Sequence, residues 1–418
     1  MRCPGYPYSR IKGLLLLASA IALIQIISTD AKAVNMDVVP SIRLEEGWDS
    51  NAFNSSDNEV SSFGTRLTPA LALRFTSPDN VMLEFSGNYE IVRYHDSVAK
   101  EADFERWFFR INSTGGWALT RTLSMLPSVY YLNSTNSSGR SQQVPSGDPV
   151  LPPVSITNYG NTKTEDFGGA VQFSYLATQN VTIGVTGNYI EQRFSAVTDN
   201  TTGTGLTNSS TIGGNASVSY LFTPRTSLGI LVAGNHQTYE NSPDADTLSG
   251  GILFGYQFSP VLRLDGVFGW SYIRQSEAPG IPEQTSSDPS GLLNASYTSD
   301  TLTASVYGSA VYSSSGSGFG QATRQWTAGL ALNDQFTREW FWNLSGTYQV
   351  SKSVFEADAV NLTTLYGAAG LRYKPWEWGS LDLTGYVDRQ ISDSQFGSDL
   401  NNFVATLGIT IGKSYKVF

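Results

Sequence analysis

The stretch "VMLEFSGNYEIVRY", Val81 to Tyr94, alternates: Val81, Leu83, Phe85, Tyr89 and Ile91 fall on one face, and Glu84, Ser86, Asn88 and Glu90 on the other. A period of two marks an extended strand, because successive side chains of a pleated backbone point to opposite sides. The same unit recurs from Asp37 to Phe418, each time followed by a break of turn residues. Segments of about 9–11 residues are long enough to cross a tilted path through a bilayer. Many of them, apolar outside and polar inside, predict an all-β chain folded as a transmembrane, outer-membrane antiparallel β-barrel.

The breaks come in two kinds. Short ones are rich in Pro, Asn, Asp, Ser and Thr, which set turn geometry locally. They are Ser77 to Asn80, Leu119 to Thr122, Ala177 to Asn180, Thr223 to Thr226, Ser259 with Pro260, Ser299 to Thr301, Thr337 to Glu339 and Pro375 to Gly379. Longer, Ser/Asn/Gly/Asp-rich segments alternate with them, at 49–61, 95–102, 136–165, 195–210, 240–247, 275–289, 314–322, 353–361 and 392–401. Nine long and eight short connections imply 18 strands, an even number as in single-chain bacterial barrels. Sixteen is the alternative, since the patterns near 123–135 and 288–298 are weak. With a periplasmic N-terminus, the long segments become extracellular loops and the short ones periplasmic turns.

Composition agrees. Charged residues make up only 15% of the 418, while 21 Tyr, 21 Phe and 9 Trp supply material for interfacial girdles. A helical membrane protein would need several apolar runs of about 20 residues. One long run is present, at the N-terminus. Arg2, Arg10 and Lys12 precede "GLLLLASAIALIQII" (Gly13 to Ile27), and "AKA" (Ala31 to Ala33) follows. This predicts a secretory signal over residues 1–33, cleaved after Ala33, and a barrel over 34–418; an uncleaved anchor is the alternative. Cys3 is the single cysteine, so the mature chain has no disulfide. The net charge of −10 argues against a nucleic-acid partner, which selects basic surfaces. The partners expected are outer-membrane lipid and the barrel-insertion machinery that reads a last strand ending in Phe418.

Parity assigns the inner wall. Arg43, Glu45, Arg66, Arg74, Glu84, Glu90, Arg106, Arg110, Arg263, Asp265, Arg372, Asp382 and Asp388 are predicted to line the pore. Seven basic and six acidic groups argue against strong selection by charge sign, which needs a ring of one sign. Each of them can equally be a wall residue paired across strands, since polar groups inside a barrel need partners whatever passes through. The longest loop holds "VPSGDPVLPPVSITNYG" (Val144 to Gly160), whose prolines and apolar residues suit either a constriction folded inward or a cover over the rim.

Catalysis finds little support. The two histidines, His95 and His236, fall near extracellular strand ends, and their neighbours Asp96 and Asn235 point to the opposite face. No nucleophile set, Cys/His metal spacing or phosphate-cradling glycine loop is visible, so neither enzymatic turnover nor a cofactor is expected.

The mature N-terminus carries a family resemblance. Pro40, Ser41, Ile42, Leu44, Glu46, Asp49 and Asn51, followed by Leu67, Pro69 and Leu71, resemble the opening strands of the beta-barrel porin 2 family. Ser50 separates an Asp and an Asn that are adjacent in that pattern. The resemblance covers about the first 65 mature residues and implies an outer-membrane conduit, with some members linked to exopolysaccharide export or exosortase systems. A general diffusion porin and a structural or adhesive barrel with a closed lumen remain the alternatives.

Overall fold

The computed structural model describes residues 35–53, 59–76, 82–114, 117–134, 162–196, 207–277, 282–313, 322–355, 360–393 and 399–417. The signal segment 1–33, the Ser77 to Asn80 turn, the Val144 to Gly160 stretch and Phe418 lie outside them.

The strands are β1 (Asn35–Asp49), β2 (Ser62–Thr76), β3 (Met82–Tyr94), β4 (Phe104–Thr114), β5 (Trp117–Ala118), β6 (Leu123–Ser134), β7 (Thr162–Leu176), β8 (Val181–Ala196), β9 (Ser209–Thr223) and β10 (Thr226–Tyr239). They continue as β11 (Ala245–Ser259), β12 (Leu262–Gln275), β13 (Gln284–Thr298), β14 (Leu302–Ser313), β15 (Thr323–Gln335), β16 (Trp340–Ser353), β17 (Asn361–Trp376), β18 (Gly379–Ser392), β19 (Leu400–Gly412) and β20 (Tyr415–Lys416). Eighteen are long; β5 extends β4, and β20 extends β19. Each long strand pairs antiparallel with its neighbours in the chain, and β19 closes on β1 through Ser41↔Gly412 to Asp49↔Val404. The result is a closed 18-stranded meander, which removes every long unpaired sheet edge. Both weakly patterned segments are strands, β6 and β13.

The outer face is apolar. Ile42, Leu44, Leu71, Ile212, Ile230, Val232, Ile252, Phe268, Val306, Leu383 and Leu407 all stand exposed there. In water such a surface would be a large aggregation-prone patch; in a bilayer it is the lipid contact. Aromatic pairs ring the turn end of the wall: Tyr220 with Phe222, Tyr256 with Phe258, Trp340 with Tyr373, and Trp376 with Trp378, with ring centroids 4.7, 4.7, 4.5 and 5.3 Å apart. This is where an interfacial girdle belongs.

Five prolines lie within strands, and each marks a gap in one ladder. Pro40 falls between the β1–β19 and β1–β20 pairings. Pro69 falls where β2–β3 skips from Leu67↔Ile91 to Ala70↔Asn88. Pro127 separates the β4–β6 and β5–β6 pairings, Pro289 precedes the first β13–β14 pair, and Pro375 lies inside the β17–β18 register shift. A residue with no N–H cannot donate to a ladder, so the sheet yields on one side of it.

The segments expected as loops at 275–289, 240–247 and 195–210 are shorter than the composition suggests. Gln284–Ser290 pairs with β12, β11 starts at Ala245 and β9 at Ser209. These extensions stand at the extracellular end, where both faces meet polar surroundings and no apolar period is required.

Candidate functional site

The inner wall brings most of the predicted pore-lining charges into one ladder. Arg43 Nη2 lies 2.9 Å from Glu45 Oε1, and Arg66 Nη1 lies 3.8 Å from Glu45 Oε2. Arg66 Nε lies 2.8 Å from Glu90 Oε1, and Arg106 Nε donates to Glu90 Oε2 at 2.9 Å. Across the closing seam, Thr406 Oγ1 donates to Glu45 at 2.9 Å. One strand further on, Asp382 accepts from Arg372 Nε at 2.5 Å, Ser380 Oγ at 3.0 Å and Thr410 Oγ1 at 2.9 Å. Signs alternate along Arg372, Asp382, Arg43, Glu45, Arg66, Glu90 and Arg106, over seven strands from β17 through β1 to β4.

Two further pairs stand apart. Arg74 meets Glu84 at 2.6 Å, directly opposite it in register, and Arg263 meets Asp265 at 2.7 Å on a single strand. Arg110 faces Ser86 and Tyr130 in register, and among the described residues no carboxylate is within ion-pair distance of it. Asp388 is buried on β18, opposite Tyr366 and Asn402.

From β7 to β16 the wall is chiefly uncharged. Ser249, Ser271 and Ser290 form a hydroxyl chain with 2.7 Å steps across β11, β12 and β13. Tyr307 Oη reaches Thr347 Oγ1 at 3.2 Å, lying over the bare Cα of Gly329. Toward the loop end the wall is withdrawn from solvent: Gln237, Gln349, Gln390 and Thr323 are almost fully buried.

Part of this cover comes from the first two loops, which sequence reasoning missed. Asp49 accepts from the Asn51 amide at 3.0 Å and from Tyr94 Oη at 2.8 Å. Ser50 bonds β19 through Asn402 and the Phe403 amide. These bonds turn Ala52 and Phe53 onto Val92, Tyr94 and Phe104 of the inner wall, where Ala99 and Ala102 of a 3₁₀ turn join them. Asp49 and Asn51 of the N-terminal motif thus anchor the mouth. The signal was present in Val92, Tyr94 and Phe104, apolar groups on a face otherwise polar.

At the turn end the wall opens into a cavity of about 760 Å³. Arg43, Arg372, Lys374 and Asp382 line it together with Asn333, Gln335, Phe341, Asn343, Thr303 and Thr384, and Phe341 stands directly opposite Arg372 in register. The histidines lie elsewhere, on outward-facing positions. His95 meets Thr65 Oγ1 at 2.9 Å, and His236 Nδ1 meets Asp246 Oδ1 at 2.7 Å beside an outer groove of about 470 Å³. Among the described residues no group of His, Cys, Asp or Glu could hold a metal.

No family model matches the chain, and no curated protein sequence matches it. Solved barrels do resemble it in shape. The outer membrane protein OpdK from Pseudomonas aeruginosa is 10% identical over 90% of this chain and 99% of its own, with a TM-score of 0.43. OccAB1 of Acinetobacter baumannii is 10% identical over 93% and 98%, with a TM-score of 0.42. The FrpB iron transporter of Neisseria meningitidis is 11% identical over 90% of this chain and 64% of its own, with a TM-score of 0.46. These likenesses are of barrel architecture, not of residues. The molecule is a closed transmembrane β-barrel.

Proposed function

We propose that the chain is a passive conduit of the outer membrane that works in the export of an extracellular polysaccharide. The observation that carries the conduit is the closed 18-stranded wall, apolar outside and polar inside. A barrel this wide is not filled by its own side chains alone. The polysaccharide rests on the character of the wall and on the N-terminal motif. A sugar chain is gripped by hydroxyls, amides and aromatic faces, and the uncharged arc from β7 to β16 offers those, with Ser, Thr, Asn and Gln side chains and Tyr307. The charged arc is self-neutralising, so it sets no strong preference between cations and anions. In this role the barrel sits among outer-membrane lipid, is installed by the insertion machinery after export of its precursor, and receives its cargo from a periplasmic partner.

Deleting the protein is expected to abolish secreted polysaccharide while leaving uptake of small dyes and antibiotics unchanged. Polysaccharide output at the parental level would reject the export role. Liposome swelling separates a general porin, which would admit small sugars freely on its own.

A further inference from the structure

The geometry points to a binding subsite for an acidic sugar, a hexuronate unit, in the turn-end cavity of the lumen; this deepens the polysaccharide reading and rests on it. The cavity, about 760 Å³, falls within the range of small-molecule sites, about 300–1,000 Å³. Its cationic side holds donors that the protein leaves unspent. Asp382 is the carboxylate that faces Arg372, and its two oxygens are already taken by Arg372 Nε, Ser380 and Thr410. Arg372 spends only its Nε there and stays half exposed, so its terminal amino groups face the cavity. Arg43 spends Nη2 on Glu45 and its Nε is buried, so it adds positive charge beside the cavity rather than an Nε donor into it. Lys374, two residues along the same face from Arg372, lines the cavity, and among the described residues no carboxylate is in ion-pair reach of it.

Arg372 and Lys374 are exposed on the cavity wall, and a ligand carboxylate would pair with both through charge-assisted hydrogen bonds. The rest of the lining fits the rest of a sugar. Asn333, Asn343, Thr303 and Thr384 can bond ring hydroxyls, and Phe341 offers a flat apolar face to the C–H side of a pyranose. Asp334, on the cavity edge, is spent on the Trp342 indole N–H at 3.1 Å. A neutral hexose would use the uncharged polar groups and leave the cations unanswered. A bare carboxylate would use the cations and leave the uncharged polar groups unanswered.

The test is isothermal titration of the detergent-solubilised mature protein with D-glucuronate, D-glucose and acetate. Glucuronate is expected to bind at least tenfold more tightly than either of the others. Lys374→Gln is expected to weaken glucuronate about tenfold and leave glucose unchanged, and Lys374→Arg to retain the preference. Among the described residues Lys374 has no ion-pair partner, so the substitution disturbs no internal contact of that kind there. Glucuronate binding no tighter than glucose, or unaffected by Lys374→Gln, would overturn the subsite. Planar-bilayer recording keeps the two ideas apart: binding intact in a barrel without conductance overturns the conduit alone, whereas conductance without a glucuronate preference overturns the subsite alone.

Discussion

Gly408 faces Glu45 directly across the seam where β19 closes on β1, and the Glu45 side chain occupies the space a side chain at 408 would fill. A Cβ placed on Gly408 would come within 2.6 Å of Glu45 Cγ and 3.0 Å of the Leu44 carbonyl oxygen. The glycine therefore lets a buried carboxylate lie flat on the wall and reach Arg43, Arg66 and Thr406 together. Gly408→Val is expected to destabilise the barrel by about 1–3 kcal/mol through overpacking. The check is the temperature at which the folded band converts to the unfolded band on a detergent gel. A conversion temperature equal to the parent's would show that Glu45 has another place to go.

Glu90 holds the ladder together between β2 and β4, buried with Arg66 on one oxygen and Arg106 on the other. Truncating one partner of a buried pair leaves an uncompensated charge, at a cost of about 3–5 kcal/mol. Arg106→Met should therefore destabilise more than the double variant Glu90→Met with Arg106→Met, in which the buried carboxylate is gone and Arg66 keeps Glu45 at 3.8 Å. Urea titration of the protein refolded into vesicles measures both. Equal losses would mean that Arg66 alone satisfies Glu90.

The barrel was legible because the lipid face imposes a period of two wherever the wall lies within the membrane, as in Val81 to Tyr94. The seven turns that fall on described residues were legible because their residues set their own geometry. Gln284–Ser290 was not, since above the membrane the period vanishes and Ser, Asp and Pro in a strand read as loop. Seven basic and six acidic wall residues spoke for a balanced lumen, yet the alternating order of the ladder depends on register between β17, β18, β19 and β1, which no single strand encodes. The acidic-sugar cavity was hidden for the same reason: Arg43 and Lys374 are 331 residues apart in sequence. The expected constriction at 136–165 falls on residues that, apart from the start of β7, lie outside those described.

The mouth offers a local test. Tyr94→Phe removes the phenol that donates to Asp49 and leaves a buried carboxylate oxygen without that donor. An unsatisfied buried acceptor costs about 1–3 kcal/mol. Asp49 also receives the Asn51 amide, so the loss should be felt along 50–53. Hydrogen exchange is expected to quicken at the Asn51 and Ala52 amides while the β10–β12 amides keep their protection. Unchanged exchange at Asn51 and Ala52 would show that the apolar contacts of Phe53 with Val92 and Phe104 hold the loop by themselves.

The two faces of the wall predict opposite responses to the same charge. Ile230 lies near the middle of β10, 61% exposed on the apolar face; Ser219, near it on β9, lies on the inner face. A Lys at the lipid-facing midplane of such a barrel costs about 2–4 kcal/mol, because the ammonium must leave water or drag it into hydrocarbon. Ile230→Lys should lower folding stability in vesicles by that amount. Ser219→Lys should change it by less than about 1 kcal/mol, since a lysine on a polar inner wall stays hydrated and can snorkel along its own stem. If Ser219→Lys proved as costly as Ile230→Lys, the inner wall at that depth would be dry, and a water-filled path along the β7–β16 arc would be ruled out. If Ile230→Lys cost nothing, Ile230 would not face lipid, and the assignment of the outer face would fail at its centre.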